Sequence, residues 1–315
     1  MNRMILLGVA ATALATGIWA QPTPSTPASS SAWPPSADHL TLPIWPGTPP
    51  GEKANMQPEY NVNADGSKKA GGRPYIRLTN VSTPTITLYT PKGNNTGAAV
   101  VVFPGGGYQI LSMDLEGTEV CEWLNQIGVN CVLLKYRVPD SGPYPKSAAA
   151  LQDAQRAMGL VRQHAAEWGI DSHRVGVLGF SAGGYLSAAV STVYDKRVYD
   201  PVDAADQLSC KPDFAVVLYP GYLALAEQNF APNPDIHPTA DTPPTFLLQA
   251  EDDPVHVENV LVYFSELKYA KVPSELHIYA QGGHGYGLRP RNLPIMGWPK
   301  LVETWLHTIK VLPVD

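Results

Sequence analysis

The chain has 315 residues, 44% hydrophobic and 16% charged, enough apolar surface to bury a large core in one or two domains. Its formal net charge is -6 and it contains no run of lysine or arginine, which argues against a surface made for nucleic acid or anionic lipid. Three cysteines, with no Cys-x-x-Cys pair and no Cys/His cluster, make neither a disulfide framework nor a zinc site, and no metal is expected.

Arg3 precedes an apolar run from Met4 to Trp19, and Ile18-Trp19-Ala20 ends it on a small residue. A membrane span takes about 20 apolar residues, so residues 1–20 read as a secretory signal peptide. The expected product is secreted or periplasmic, with no stable membrane anchor after cleavage. Residues 21–39 are rich in Pro, Ser and Thr and have little to bury, so they read as a linker without structure. A single folded domain is expected over residues 40–315.

Past the linker, β-rich runs alternate with helical periods, the pattern of a mostly parallel sheet covered by helices. An irregular stretch, Leu40 to Pro84, comes first, followed by strands Thr85 to Tyr89 and Ala99 to Phe103. The second strand runs into Pro104-Gly105-Gly106-Gly107-Tyr108, where three glycines let backbone approach a substrate and aim N–H groups inward. No Gly-Lys-Ser/Thr and no Gly-x-Gly-x-x-Gly accompanies them, which disfavours phosphate binding. Val120, Trp123, Leu124 and Ile127 mark a helix ahead of the strand Asn130 to Lys135. Cys121 and Cys131 fall on these two elements and can pair only if the helix lies over the strand; buried free thiols are the expected state. Leu151, Ala154, Met158, Val161, Ala165 and Trp168 recur at steps of three and four, predicting a helix over Lys146 to Trp168.

The strand Arg174 to Leu178 leads into Gly179-Phe180-Ser181-Ala182-Gly183-Gly184 and then into a helical pattern from Tyr185. A glycine-flanked serine at a strand-to-helix turn is a nucleophile elbow: the turn is so sharp that Gly179 and Gly183 are needed where a Cβ would clash. The helix N-terminus behind the serine favours negative charge. Gly106, Gly107 and Ala182 are the candidate oxyanion donors, with Gly105 needed for the turn. Strands follow at Phe214 to Tyr219, Thr245 to Gln249 and Glu275 to Tyr279, and helices at Val260 to Lys268 and Leu301 to Ile309. Gly221 to Pro244, too short for a separate domain, is a candidate wall of the site.

A serine hydroxyl is unreactive near neutral pH unless a histidine takes its proton, and the histidine needs a carboxylate to fix its tautomer. His284, on the glycine-rich loop Gln281 to Gly287, is the candidate base, ahead of His237, His256 and His277. The acid lies in Glu251-Asp252-Asp253-Pro254: strand length from Pro244 favours Asp253 and spacing to Val255 favours Asp252, with Asp253 preferred.

These segments together resemble the α/β-hydrolase superfamily from about Val100 to Ile309, and more narrowly the secreted bacterial esterases grouped with acetylxylan and feruloyl esterases. The residues that carry the resemblance are Phe103 to Tyr108, Leu134-Lys135-Tyr136-Arg137-Val138-Pro139, Gly179 to Gly184, Glu251 to Asn259 and Gly282-Gly283-His284-Gly285. Pro104 stands where lipases and esterases carry the histidine of a His-Gly-Gly-Gly motif, and the chain order Ser, Asp, His is that of α/β-hydrolases. The resemblance implies a mostly parallel sheet of about eight strands flanked by helices, with a small or absent cap and a cleft open to a polymer. It also implies a serine carboxylesterase with no cofactor, using Ser181, His284 and Asp253 to deacylate plant polysaccharide, most readily acetylated xylan. Feruloyl or general small-ester hydrolysis is the alternative. Tyr108, Tyr185 and Tyr286 flank the catalytic segments and are candidates for contact with acyl or sugar groups. A serine peptidase of this fold typically carries a large N-terminal domain that the stretch 40–84 cannot build. A sugar-binding scaffold without catalysis would have little reason to keep serine, acid and histidine in these places.

Overall fold

Apolar runs with no alternation are expected where a strand is covered on both faces, and the sheet is built on them. The computed structural model describes Trp33, residues 37–51 and residues 57–313. The expected signal peptide, residues 1–20, and most of the expected linker, residues 21–39, lie outside the described residues.

The main sheet has eight strands: β1 (Thr41–Pro43), β2 (Thr85–Tyr89), β3 (Ala99–Phe103), β4 (Asn130–Lys135), β5 (Val175–Phe180), β6 (Ala215–Leu218), β7 (Thr245–Ala250) and β8 (Ser274–Tyr279). Their order across the sheet is β1-β2-β4-β3-β5-β6-β7-β8. The β1–β2 and β2–β4 pairs are antiparallel, and all pairs from β4 to β8 are parallel. Every residue of β3 through β7 is buried. Strand β1 gave no signal in the sequence because it is three residues long and ends in Pro43, which is tolerated only at a sheet edge.

Among the described residues, five α-helices flank the sheet: α1 (Glu119–Gln126), α2 (Ala149–Gln163), α3 (Ala182–Thr192), α4 (Glu258–Tyr269) and α5 (Trp298–Thr308). The sequence pattern overran α2 at both ends. Ala165 and Trp168 are buried as predicted, but on a turn that follows the helix and ends at Gly169, with φ 65°. Between β6 and β7, the stretch 221–244 forms a two-stranded hairpin, Ala224–Leu225 with Ala231–Pro232, and no α-helix. A helical cap is therefore missing here.

Cys121 and Cys131 form a disulfide with a Cα–Cα distance of 5.1 Å, which corrects the expectation of two free thiols. Helix α1 packs directly on β4, so the two side chains meet in one layer; Cys210 is the buried free cysteine. The irregular N-terminal stretch is fastened by buried polar contacts: Trp45 Nε1 donates to Asp153 (2.8 Å) and Arg156 Nε to the Ile44 carbonyl (2.8 Å). Asp153 also pairs with Arg137 at 2.9 Å. Burial pushes the Asp153 carboxyl up, and the Arg137 charge works against that shift.

Candidate active site

Loops at the carboxyl ends of a parallel sheet converge on one edge, and four of them meet here: those after β3, β5, β7 and β8 carry Gly105 to Gly107, Ser181, Asp253 and His284. Ser181 follows β5 without a gap and immediately precedes α3, at φ 53° and ψ -117°. A non-glycine residue in that region carries strain of about 1–3 kcal/mol. The turn is held by close backbone packing, since a Cβ on Gly179 would lie 1.9 Å from the Gly183 carbonyl oxygen. A Cβ on Gly183 would lie 2.0 Å from the Phe103 oxygen.

Ser181 Oγ lies 2.9 Å from His284 Nε2, and His284 Nδ1 lies 2.9 Å from Asp253 Oδ2. With Nδ1 protonated, the ring donates to Asp253 and Nε2 is free to accept the serine proton. The Asp253 side chain is fully buried while that of His284 is 24% exposed, which leaves the ring open to substrate. Gln249 Nε2 (3.1 Å) and the Val255 N–H (2.7 Å) donate to the other lone pairs of Asp253. Asp252, the alternative acid, instead accepts the N–H groups of Gly282 (2.9 Å) and Gly283 (2.7 Å), shaping the loop that carries His284. Of the competing histidines, His277 bonds Glu275 at 2.7 Å and His256 packs against Phe230, while His237 is exposed.

The oxyanion candidates are placed consistently with that role. Among the described residues, no protein acceptor engages the N–H of Gly106, Gly107 or Ala182. The Gly105 N–H is already used by Glu116 Oε2 at 2.8 Å. The loop is closed by Gln109 and Ile110 donating to the Gly106 carbonyl, and by Tyr136 Oη donating to the Pro104 carbonyl at 2.6 Å. Gly106, at φ 140°, admits no side chain, because its Cβ would lie 2.0 Å from the Ile110 oxygen.

The three tyrosines suggested as substrate contacts are placed otherwise. Tyr108, Tyr185 and Tyr286 are at most 1% exposed. Tyr108 Oη donates to the Ala182 carbonyl (3.0 Å) and Tyr185 Oη to the Tyr144 carbonyl (2.7 Å). Tyr286 packs against Tyr219 at 4.5 Å. These rings buttress the site from behind. Burial pushes the hydroxyls of Tyr108, Tyr219 and Tyr286 well above their ordinary range, so they stay neutral. Beside Tyr108 and Tyr185, Tyr222 does reach solvent: it is 39% exposed, its ring 5.9 Å from Tyr108 and 6.0 Å from Tyr185. It lies in an irregular loop where no periodicity marks it; its place just after the β6 end was the available signal. Among the described residues, no group of three or more His, Cys, Asp or Glu side chains is placed to hold a metal ion.

A strand, a strained serine and a helix under the carboxyl edge of an eight-stranded sheet, with aspartate and histidine following in chain order, define the α/β-hydrolase class. A family described as alpha/beta hydrolase fold matches residues 100–238. An acetylxylan esterase from Xylanibacter ruminicola is 31% identical over 219 residues, which cover 62% of this chain and 42% of that protein. The chain thus spans less than half the length of that relative. A solved acetyl ester-xyloside bifunctional hydrolase from Caldicellulosiruptor lactoaceticus is 34% identical with a TM-score of 0.65, covering 87% of this chain and 97% of its own. A thermophilic esterase from Thermogutta terrifontis, solved with propionate, is 25% identical with a TM-score of 0.63 over 74% of this chain and 92% of its own. The chain belongs to the α/β-hydrolase family.

Proposed function

We propose that the protein is a secreted serine carboxylesterase that removes acetyl groups from xylan-type plant polysaccharide. The reading rests above all on the unbroken line of hydrogen bonds from Ser181 through His284 to Asp253, both at 2.9 Å. His284 takes the serine proton as Ser181 Oγ attacks the ester carbonyl, and Asp253 holds the ring and stabilises the imidazolium. The N–H groups of Gly106, Gly107 and Ala182 receive the negative charge; loss of one such donor costs roughly 2.7–4 kcal/mol in the transition state. His284 then protonates the departing sugar hydroxyl, leaving an acyl-serine that water hydrolyses by the same steps in reverse. Two observations support a polymer substrate: the stretch 221–244 forms no helical lid over the cleft, and two of the relatives carry acetylxylan or acetyl ester-xyloside activity in their names. Secretion is supported by the sequence of residues 1–20.

The test is a comparison of acetate release from acetylated xylan with ferulate release from feruloylated arabinoxylan, using the Ser181→Ala protein as blank. Acetate release that depends on Ser181 and exceeds ferulate release is expected. Ferulate alone would move the assignment to a feruloyl esterase, and release undiminished in the Ser181→Ala protein would refute it.

A further inference from the structure

A buried acid with no role in the relay lies directly behind the serine. Glu116 is 3% exposed and belongs to a π-helical turn, Asp114–Thr118, that runs without a break into α1. Such turns are rare and are often found at functional sites. Its two oxygens face different loops. Oε2 accepts the Gly105 N–H at 2.8 Å, at the start of the oxyanion turn, and Oε1 accepts the Tyr219 hydroxyl at 2.8 Å. The Tyr219 oxygen in turn accepts the N–H of Gly287 at 3.2 Å, on the loop that carries His284, and the Tyr219 ring meets the imidazole edge-on at 5.0 Å. The carboxylate is also close to the nucleophile: the position a Cβ on Gly105 would take is 2.8 Å from both Glu116 Oε2 and Ser181 Cβ.

The same turn holds the His284 loop at two more points. Asp114 pairs with Arg289 at 2.8 Å, and the Leu115 oxygen stands 2.6 Å from where a Cβ on Gly287 would be. Among the described residues, no lysine, arginine or histidine is in ion-pair contact with Glu116. Burial pushes its carboxyl above the ordinary value, against the pull of the Tyr219 hydroxyl, the His284 ring and the Gly105 amide. A buried acid with no ion-pair partner is costly to keep, and its two bonds run to the two segments that flank Ser181.

We propose that Glu116 is a positioning residue for ester hydrolysis, its carboxylate coupling the oxyanion loop to the histidine loop so that both stay aligned on Ser181. The proposal rests on the esterase reading of Ser181 and His284 above. Glu116→Gln replaces an acceptor of two donors by a group with one acceptor and one donor. Tyr219→Phe keeps the Gly105 bond and cuts only the link to the histidine loop.

The experiment measures kcat and KM for a small acetyl ester in the wild type, Glu116→Gln, Tyr219→Phe and the double variant, with active sites counted by an organophosphonate and folding followed by thermal unfolding. Removing a whole oxyanion donor lowers kcat about 10²–10³-fold, so misaligning one is expected to lower kcat per titrated site roughly 10–100-fold in Glu116→Gln, with KM within about threefold. Tyr219→Phe is expected to lose less, and the double variant less than the product of the two, because the groups form one chain. A kcat per titrated site within about threefold of wild type in both single variants, with only the melting temperature lowered, would overturn the proposal and leave the esterase reading intact. If Glu116→Gln does not fold, unchanged kcat in Tyr219→Phe overturns it alone. A wild type with neither turnover nor labelling would overturn both.

Discussion

Asp252 and Asp253 are adjacent acids past the end of one strand, and the structure gives them different tasks. Asp253 Oδ2 meets the imidazole, while Asp252 caps two amides of the loop that carries it. Asp253→Asn leaves the geometry but favours the wrong tautomer, so kcat is expected to fall by roughly 10⁴-fold. Asp252→Asn keeps an oxygen for both amides and is expected to stay within about threefold of wild type. Steady-state assays of the two variants check this, and the reverse pattern would make Asp252 the orienting acid. The sequence narrowed the acid to this pair but gave only a preference, because one residue of chain direction in a turn decides which carboxylate faces the ring. The tyrosines illustrate the same limit. Proximity in sequence to Ser181 or His284 points to Tyr185 and Tyr286, yet side-chain direction puts both in the core and leaves Tyr222 at the surface.

At the scale of elements, α2 and its neighbours show what periodicity carries and what it leaves out. The apolar face of α2 is legible from its spacing, but its polar fastening is not. Arg156 on α2 binds Asp206 at 3.1 Å in the 3₁₀ turn Ala204–Gln207. Asp206 also accepts the Tyr199 hydroxyl (2.6 Å) and the Val202 N–H (2.9 Å). Burial alone would raise the Asp206 carboxyl, but the Tyr199, Val202 and Arg156 bonds outweigh it and hold the group below its ordinary value. A carboxyl lowered on folding contributes stability above the unfolded value near 3.9 and loses it as pH falls through the native one. Asp206→Asn is therefore expected to cost about 2 kcal/mol at pH 7 and pH 5 alike, as for lost bonds to a charged acceptor, with the gap narrowing only below about pH 4. Urea midpoints of both proteins across that range check it; a gap that widens toward acid would contradict the assignment. The Cys121–Cys131 bridge was missed for a related reason: spacing placed one cysteine on a helix and one on a strand, but which helix covers which strand is a property of the packed layers.

For the molecule as a whole, strand order does the gathering. Four strands, β3, β5, β7 and β8, each end in a loop that contributes to the site, and parallel pairing brings those ends to one edge. The buried strands were legible almost to the residue because burial on both faces writes itself as an unbroken apolar run. The π-helical turn with Glu116 was not, since nothing local distinguishes Asp-Leu-Glu-Gly-Thr from an ordinary helix start; its meaning comes from contacts with Gly105 and Tyr219, distant in the chain. If Ser181 is the single nucleophile, mass spectrometry of the protein treated with an organophosphonate ester will locate it. One adduct per chain is expected, on the peptide containing Ser181, appearing in step with loss of ester hydrolysis and absent from the Ser181→Ala protein. Turnover that survives complete labelling, or an adduct on another residue with Ser181→Ala still active, would contradict it.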